Sequence, residues 1–328
     1  MVYSILQSIL IFIFLPSSRL IWWINRGGGI IVGFQFRIKP VKQYLVLFLA
    51  LLASCQTQKD KIPPVAVYDQ SSISAFFEQA ASDDKVFHDF KRSPLFNLVQ
   101  ENASYEQGLN SLNLILEKFP RLFERLDKLR SNDAIGSPRI YPYDQVGEFS
   151  PATLHYIALC GKIEEKMGDL EGKDVVQIGA GYGGLCRVLH ELHTFKSYTI
   201  IDIPAALKLT ERYLAESGIE GVRLIAVKDL KEEIYTDLVI SDASFFESSK
   251  VSQDHLIAKV VANADSGFFF GRPMPKHVGI VPYSPKEIRR KLSKTGIEST
   301  IEIEENVPSL SSFNLFWKKS SISAENIQ

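Results

Sequence analysis

The stretch VVQIGAGYGGL, residues 175–185, decides the fold of this 328-residue chain. A short apolar run typical of a buried strand leads directly into glycines at every second position, and the helical pattern GLCRVLHELH follows. Glycines between a strand and a helix allow a tight turn and let a ligand approach the backbone closely. The segment therefore predicts a nucleotide-binding turn. That turn consists of Gly179, Ala180, Gly181, Tyr182 and Gly183.

Alternating strand and helix patterns extend beyond this turn. Ser150 and Pro151 form a helix-start signal, and helical patterns separate most of the strand patterns that follow. Those strand patterns are SYTIIDIP, VRLIAV, TDLVISDA, SGFFFG, STIEIEE and FNLFWKK. No helical pattern separates the last two, which predicts an antiparallel pair at the sheet edge. The sequence thus predicts an α/β fold over 150–320, with a doubly wound, mostly parallel, seven-stranded sheet of Rossmann-like type.

The region ahead of the sheet, residues 65–149, has the pattern of a helical subdomain. SISAFFEQA at 72–80 and LNSLNLILEKFPRLFERLDKLR at 109–130 place apolar residues at three- and four-residue steps, as amphipathic helices do. Pro120 is expected to kink or divide the longer helix. NDAIGSPRIYPYD at 132–144 is rich in turn-forming residues and predicts a loop between the two regions.

Residues 1–60 are interpreted as a hydrophobic N-terminal segment and linker. Two apolar runs, the second at 44–54, flank a basic stretch, and LASC at 52–55 resembles the lipobox of bacterial lipoproteins. Three interpretations stay open: a lipoprotein signal preceded by an over-extended start, a membrane anchor built from 2–24, and a chance pattern. The expected location is the cytoplasm, with association to the inner membrane through residues 1–54 if the anchor is genuine. The alternative is a lipoprotein acylated at Cys55.

The net charge and the spacing of the cysteines indicate which ligands are not expected, namely nucleic acid and zinc. The formal net charge is −1, so no nucleic-acid partner is predicted. Cys55, Cys160 and Cys186 have no zinc-type spacing, and no metal motif is found in the sequence. A divalent metal held by carboxylates is compatible with the chemistry discussed below, but no motif supports it. The sequence gives no indication of the oligomeric state.

Asp202, at the end of the second strand pattern of the sheet, points to the kind of cofactor. In α/β nucleotide sites, a carboxylate about 20 residues beyond the glycines accepts hydrogen bonds from ribose hydroxyls. The structural alternative is a helix N-cap ahead of Pro204. Dinucleotide sites continue through a second mononucleotide-binding half, whereas the strand patterns of this chain end in an apparent strand pair. The pattern therefore favours S-adenosylmethionine over a nicotinamide dinucleotide.

Several segments, taken in order, resemble a known family. NDAIGSPRIYPY, EFSPATLHY, VVQIGAGYGG, SYTIIDIP and DLVISDASFFE are similar to ND-x-IG-x-P, SP-x-TLRY, VEIG-x-GYGG, YT-x-IDLP and DLVIS-x-x-AFSE of the sugar O-methyltransferases of bacterial surface-glycan pathways. The resemblance covers roughly 85–318. It implies the class I methyltransferase fold, S-adenosylmethionine as cofactor, and a sugar, nucleotide-sugar or glycan hydroxyl as acceptor. The chain departs from the family at Gln177, usually Glu, at His155, usually Arg, and at Asp242, often Asn.

The candidate site residues follow the carboxyl ends of the strands, where ligands bind in such sheets. Besides the glycine turn and Asp202, the cofactor candidates are Gln177, Ile203, Asp229 and Ser241. The resemblance implies that Asp229 contacts the adenine amino group. The catalytic candidates are Glu247, His277 and Asp242. Glu247 matches the Glu of AFSE and is expected to orient the acceptor hydroxyl, while His277 is a candidate base on a later loop.

Two other functions stay open at this level. A noncatalytic lipoprotein or assembly protein retaining the fold is favoured by Gln177 and by the LASC pattern. A nicotinamide-dependent enzyme is disfavoured because the strand patterns end in an apparent strand pair and do not continue through a second mononucleotide-binding half. Binding of S-adenosylmethionine separates these functions from the methyltransferase.

Overall fold

The structure is a computed structural model that describes residues 13–14, 19–23, 33–37, 70–100, 103–272, 280–304 and 312–319. The chain divides into two compact units, Met1–Ala66 and Val67–Gln328. In the first unit, the described strands β1 (Ile13–Phe14), β2 (Arg19–Trp23) and β3 (Gly33–Arg37) form an antiparallel sheet. The lipobox-like segment and Cys55 lie outside the described residues. Within the described stretches, no helix is both long enough and apolar enough to cross a membrane.

The second unit is built around a seven-stranded sheet. Its strands are β6 (Asp174–Ile178), β7 (Ser197–Asp202), β8 (Val222–Ala226), β9 (Thr236–Asp242), β10 (Ala264–Gly271), β11 (Thr300–Ile303) and β12 (Phe313–Lys318). Their spatial order is β11-β12-β10-β9-β6-β7-β8, and β12 is antiparallel to both neighbours. When the seven strands are numbered 1 to 7 along the chain and the sheet is read from β8 to β11, the order is 3-2-1-4-5-7-6. This is the strand order of the class I methyltransferase fold. The predicted doubly wound sheet with an antiparallel edge is confirmed.

Helices cover the described part of this unit ahead of the sheet and between its strands. They are α1 (Gln70–Ser82), α2 (Asp84–Asp89), α3 (Pro94–Val99), α4 (Tyr105–Lys118), α5 (Pro120–Phe123), α6 (Leu126–Leu129), α7 (Pro151–Met167), α8 (Gly184–Leu192), α9 (Pro204–Glu216), α10 (Lys250–Lys259) and α11 (Pro285–Lys294). Local sequence sets the helix starts: the Ser150 hydroxyl accepts a hydrogen bond from Thr153 N–H at α7, and a Ser284–Glu287 capping box begins α11. Pro120 divides the long amphipathic pattern into α4 and α5, as predicted.

The two faces of the sheet belong to two hydrophobic clusters because successive strand residues point to opposite sides. One cluster contains Val175, Ile200, Leu238, Ile240 and Phe268, together with apolar residues of α1, α4, α7, α8 and α9. The other contains Val176, Ile201, Val239 and Phe269, together with residues of α10, α11 and β12. The N-terminal helices therefore share a core with the sheet. Both the helical region and the sheet belong to the compact unit Val67–Gln328.

The segment predicted as a loop, 132–144, is partly a hairpin. Strands β4 (Tyr141–Tyr143) and β5 (Gly147–Phe149) pair antiparallel. The connecting turn places Gln145 at φ 72° and Gly147 at φ 77°. Strands of three residues carry too little alternation to be recognised from sequence, and that part of the loop prediction was wrong.

A buried polar network fixes the start of α7. The Asp133 carboxylate accepts hydrogen bonds from the Ser150 hydroxyl and the Thr153 hydroxyl, both at 2.6 Å, and from Ser150 N–H at 2.8 Å. The Asn132 amide donates to the Thr153 hydroxyl at 2.7 Å and accepts from the Tyr213 hydroxyl at 2.7 Å. The residues of ND-x-IG and SP-x-T thus contact one another and connect the helical region to α7 and α9.

Candidate functional site

The glycine turn leads from β6 into α8 with three residues in the left-handed region. Gly179, Gly181 and Gly183 have φ of 73°, 58° and 101°. Such angles are strained for residues with a Cβ. Gly183 is the N-cap of α8, and Gly179 N–H donates to the Ile201 carbonyl oxygen at 2.8 Å. The spacing of the glycines therefore reflects a real backbone requirement at the carboxyl edge of the sheet.

Asp202 holds this turn from the neighbouring strand. Its Oδ2 accepts from Ala180 N–H at 2.8 Å and Gly181 N–H at 3.1 Å, and its Oδ1 accepts from Ile203 N–H at 2.7 Å. Burial raises the pKa of the carboxyl group, while these three backbone donors oppose the shift. A carboxylate offers about four acceptor positions, so Oδ1 retains capacity for one further hydrogen bond.

Gln177 and Ser241 support the turn from beneath. The buried Gln177 amide donates to the Gly179 carbonyl oxygen at 3.1 Å and accepts from the Tyr198 hydroxyl at 2.6 Å. A glutamate at this position could not donate to Gly179 when ionised. The Ser241 hydroxyl is also buried, donating to the Ile178 carbonyl oxygen at 2.8 Å and accepting from Phe245 N–H at 3.1 Å. The hydrogen bonds of Gln177 and Ser241 therefore go to other protein groups in and around the turn, and the two side chains stabilise its conformation.

The remaining cofactor candidates lie in different surroundings. The Tyr182 side chain is fully buried among aromatic rings, with the Tyr213 ring centroid 4.8 Å away, so a ligand contact at this position would involve its backbone. Ile203 is 38% exposed at the start of α9. Asp229 follows β8 and is exposed. Asp229 and Ile203 come after neighbouring strands, β8 and β7, at the same edge of the sheet.

Two side chains from elsewhere in the chain lie against the glycines. A Cβ built on Gly181 would come within 2.3 Å of Gln100 Oε1, and one on Gly179 within 2.1 Å of the Ser244 Cβ. Gln100 follows α3, and Ser244 belongs to the turn after β9, where Ala243 has φ 62°. Neither Gln100 nor Ser244 carries a sequence signal, because their proximity to the turn depends on tertiary structure alone.

A cleft of about 710 Å³ adjoins the turn at the carboxyl edge of the sheet. Gln100 lines it while also contacting Gly181, and Ala243 lines it next to Ser244. Its polar lining comes from α4, α7, the ends of β9 and β10, and the β11–β12 pair. These lining residues include Gln107, Asn110, Ser111, His155, Lys162, Asp242, Glu247, Arg272, Glu304, Ser312 and Asn314. The geometry therefore brings a polar cleft up to the predicted nucleotide turn.

Asp242 and Glu247, two of the catalytic candidates, line this cleft, and each carboxylate contacts a nitrogen-bearing side chain. Both Asp242 carboxylate oxygens lie 3.2 Å from His155 Nε2. Glu247 Oε1 accepts from Arg272 Nε at 3.0 Å. The third candidate, His277, lies outside the described residues. Arg272 was missed from the sequence, and His155 was noted only as a departure from the resembled family.

Lys162 and Glu304 form a further pair on the wall of the cleft. The Lys162 ammonium donates to the Glu304 carboxylate, which also accepts from the Asn314 amide at 2.8 Å and the Ser312 hydroxyl at 2.9 Å. Burial acts to raise the pKa of Glu304, but Lys162 and these hydrogen bonds outweigh it, and the pKa lies below its ordinary value. The pair links α7 to the β11–β12 hairpin. Across the described residues, no group of three or more His, Cys, Asp and Glu side chains is placed to hold a metal ion.

Comparisons with known proteins add structural neighbours but no family. No family model matches the chain, and no curated protein does. A candidate sarcosine dimethylglycine methyltransferase from Galdieria sulphuraria is 15% identical, with 52% of this chain and 87% of that chain covered and a TM-score of 0.42. Phosphoethanolamine N-methyltransferase 2 from Haemonchus contortus, solved with S-adenosyl-L-methionine, is 11% identical, with coverages of 48% and 51% and a TM-score of 0.41. Magnesium protoporphyrin IX methyltransferase from Synechocystis, solved with S-adenosylhomocysteine, is 16% identical, with coverages of 51% and 83% and a TM-score of 0.40. The strand order itself gives the fold.

Asp202 is expected to affect both the turn and its ligand. Replacing it by alanine removes the acceptor of three backbone N–H groups. We expect the urea midpoint of unfolding to fall and S-adenosylmethionine binding, measured by isothermal titration, to weaken by about 1–3 kcal/mol. Asp265→Ala, an exposed position at the amino end of β10, is the matched control and should change neither measurement. An Asp202→Ala protein with wild-type affinity would rule out a role for Asp202 in binding.

Proposed function

We propose that this chain is an S-adenosylmethionine-dependent O-methyltransferase whose acceptor is a sugar hydroxyl. The proposal depends on one observation above all. A polar cleft containing an imidazole and two paired carboxylates adjoins the glycine turn of a class I methyltransferase sheet. Methyl transfer requires a donor site and an acceptor site in contact, because the acceptor oxygen must be in line with the bond that breaks.

The residues present fit the donor. Asp202 keeps one acceptor position for a ribose hydroxyl, and the glycines leave the backbone open to close approach. Gln177 keeps the turn in shape without adding a buried charge. Asp229 and Ile203 would contribute to the adenine side and Ser241 would support the turn. S-adenosylmethionine would supply an activated methyl group there, and this chain would hold, orient and deprotonate the acceptor.

The lining of the cleft suits a polyhydroxylated acceptor. Amides and a hydroxyl on α4, from Gln107, Asn110 and Ser111, line the same cleft as the two paired carboxylates. Side chains of this kind donate to and accept from sugar hydroxyls. The Arg272 guanidinium is paired with Glu247 and the His155 imidazole lies against Asp242, which favours a neutral hydroxyl-bearing group over a phosphate as the part bound here. The sequence resemblance to sugar O-methyltransferases supports the same acceptor, as a free sugar, a nucleotide-sugar or a glycan.

Location is part of the proposal, because the donor is made in the cytoplasm. We propose a cytoplasmic enzyme, with membrane association through residues 1–54 as the anchored form. A lipoprotein acylated at Cys55 would favour the noncatalytic alternative. Mass spectrometry of the natural N-terminus distinguishes these forms.

Titration of the full chain with S-adenosylmethionine and, separately, with NAD tests the donor. Methyl-tritiated donor with a panel of methyl hexosides, methyl 6-deoxyhexosides and UDP-sugars then tests transfer. The proposal expects binding of the methyl donor alone, and label in at least one sugar. Binding of NAD instead would contradict it. Donor binding without transfer to any sugar would favour the noncatalytic alternative.

Glu247 is expected to position the acceptor. In Glu247→Gln, the ion pair between Glu247 and Arg272 is lost and the acceptor hydroxyl loses a charged acceptor. We expect kcat/KM for the acceptor to fall about ten- to hundredfold, the equivalent of one hydrogen bond to a charged group. Donor affinity should stay within about twofold, since no contact of Glu247 with the glycine turn is found among the described residues. Glu220→Gln, exposed after α9, is the control; equal kcat/KM in both variants would exclude a positioning role.

A further inference from the structure

His155 is the one histidine among the described residues that lines the cleft. It lies in the second turn of α7, with its side chain 30% exposed. The ring is held on two sides: the Phe270 ring lies edge-on at a centroid distance of 5.2 Å, and the Tyr156 ring lies at 5.8 Å. An imidazole in this position is oriented by its neighbours yet accessible from the cleft.

Asp242 faces this imidazole from the end of β9. Nε2 of His155 is 3.2 Å from each carboxylate oxygen. Burial acts to raise the pKa of Asp242, but His155, Arg272 and Lys162 outweigh it, so the pKa lies below its ordinary value. A carboxylate held in its ionised form is a weak proton acceptor. Asp242 is therefore suited to orient the imidazole and not to remove a proton itself.

The pairing fixes which ring nitrogen can act. A hydrogen bond from Nε2–H to the Asp242 carboxylate places the proton of the neutral ring on Nε2 and leaves the lone pair on Nδ1. Among the described residues, Nδ1 has no hydrogen-bond partner in the structure. Two further cations of the cleft act on Asp242: Arg272, bonded to Glu247, and Lys162, bonded to Glu304.

We propose that His155, oriented by Asp242, is the general base that deprotonates the acceptor hydroxyl. This inference rests on the proposed function. The acceptor O–H bond breaks as its proton passes to Nδ1, and an O–C bond forms to the methyl carbon of the donor. The C–S bond breaks with its electron pair remaining on sulfur. The products are a methyl ether, S-adenosylhomocysteine and an imidazolium, which returns its proton to water through the exposed edge of the ring.

Two substitutions separate proton removal from charge pairing. His155→Gln keeps an N–H donor for Asp242, and His155→Arg restores the residue that stands here in the resembled family. Neither side chain can accept a proton near neutral pH. We expect both variants to lose about 10²–10⁴-fold in turnover and to keep donor affinity within about twofold. The decrease of wild-type turnover at acidic pH, where the imidazole is protonated, should be missing from the residual activity.

His88→Gln is the matched control, because His88 is an exposed histidine of α2 paired only with its neighbour Asp89. It should have wild-type turnover. Turnover in His155→Arg or His155→Gln within about threefold of wild type would overturn the inference. Failure of the wild-type protein to bind S-adenosylmethionine would instead contradict the proposed function. The two outcomes are therefore distinguished by different measurements, turnover of the variants and donor binding by the wild type.

A measurement on the free protein needs no acceptor. In ¹⁵N-histidine-labelled protein, the resonances of His155 are assigned as those missing from His155→Gln. The inference expects the Nε2–H tautomer at high pH and a clear shift of the His155 titration in Asp242→Asn, which replaces the charged partner by a neutral one. A ring in the Nδ1–H tautomer, or a titration that Asp242→Asn leaves unmoved, would overturn it.

Discussion

Replacing Gly181 by valine should abolish measurable binding of S-adenosylmethionine. Gly181 has φ 58°, a conformation that a β-branched residue adopts only with strain. Its new Cβ would come within 2.3 Å of Gln100 Oε1. Because Gly181 N–H also donates to Asp202 and its carbonyl oxygen accepts from the Thr210 hydroxyl at 3.1 Å, the displaced backbone would disturb both. Isothermal titration with S-adenosylmethionine is the measurement.

A matched control distinguishes the effect of backbone strain from the effect of changing the glycine turn. Gly218 has φ 71°, and a Cβ built on it meets no atom within 4 Å. Gly181→Ala and Gly218→Ala therefore introduce a similar backbone strain of about 1–2 kcal/mol. Only the first places a Cβ against a neighbouring side chain, the Gln100 amide beside the turn, which must then move. Donor affinity should fall in Gly181→Ala and stay at the wild-type value in Gly218→Ala, with both proteins folded by circular dichroism. Equal affinities would place the donor elsewhere.

The sheet could be predicted because its information is local. The central strands are short apolar runs bounded by turn residues, and the run in β10, SGFFFG, is fully apolar between its glycines because the strand lies between β9 and β12. The antiparallel edge could be predicted from the connection pattern, because no helical pattern separates β11 and β12. Helices α2 and α3 lie within the predicted helical region, but their bounds were not recognised, and the β4–β5 hairpin was missed, since six- and three-residue elements show too few turns of any period.

The residues of the donor site could be predicted from the sequence, as the sheet could. The contacts of the acceptor site could not. Glycine spacing and the position of Asp202 depend on adjacent strands, and the structure brings these residues together. Tyr182 shows the limit of this reasoning, because its place in the turn does not reveal that its side chain is buried. His155 and Asp242 are 87 residues apart. Their contact depends on how α7 packs across β9 and β10, which no local pattern encodes.

Asp133→Ala should be the most destabilising of the substitutions considered. The carboxylate is 9% exposed and accepts three hydrogen bonds, from Ser150 N–H, the Ser150 hydroxyl and the Thr153 hydroxyl. The hydroxyls can rotate toward each other, but Ser150 N–H would stay buried without its acceptor. Hydrogen bonds to a charged group contribute about 1.5–3 kcal/mol each, so we expect a loss of about 3 kcal/mol or more in the free energy of unfolding. Urea unfolding followed by circular dichroism measures it.

Asp127→Ala is the control for Asp133→Ala, because Asp127 is a nearly fully exposed aspartate that forms a surface pair with Arg130. Its loss should change the free energy of unfolding by no more than about 0.5 kcal/mol. The network has a functional side as well, since Asn132 bonds the Tyr213 hydroxyl at 2.7 Å and the Tyr182 hydroxyl at 3.4 Å, directly behind the glycine turn. Asp133→Ala should therefore weaken S-adenosylmethionine binding even at temperatures where it stays folded. Wild-type stability in this variant would mean that the ND and SP-x-T motifs are not held together by this carboxylate.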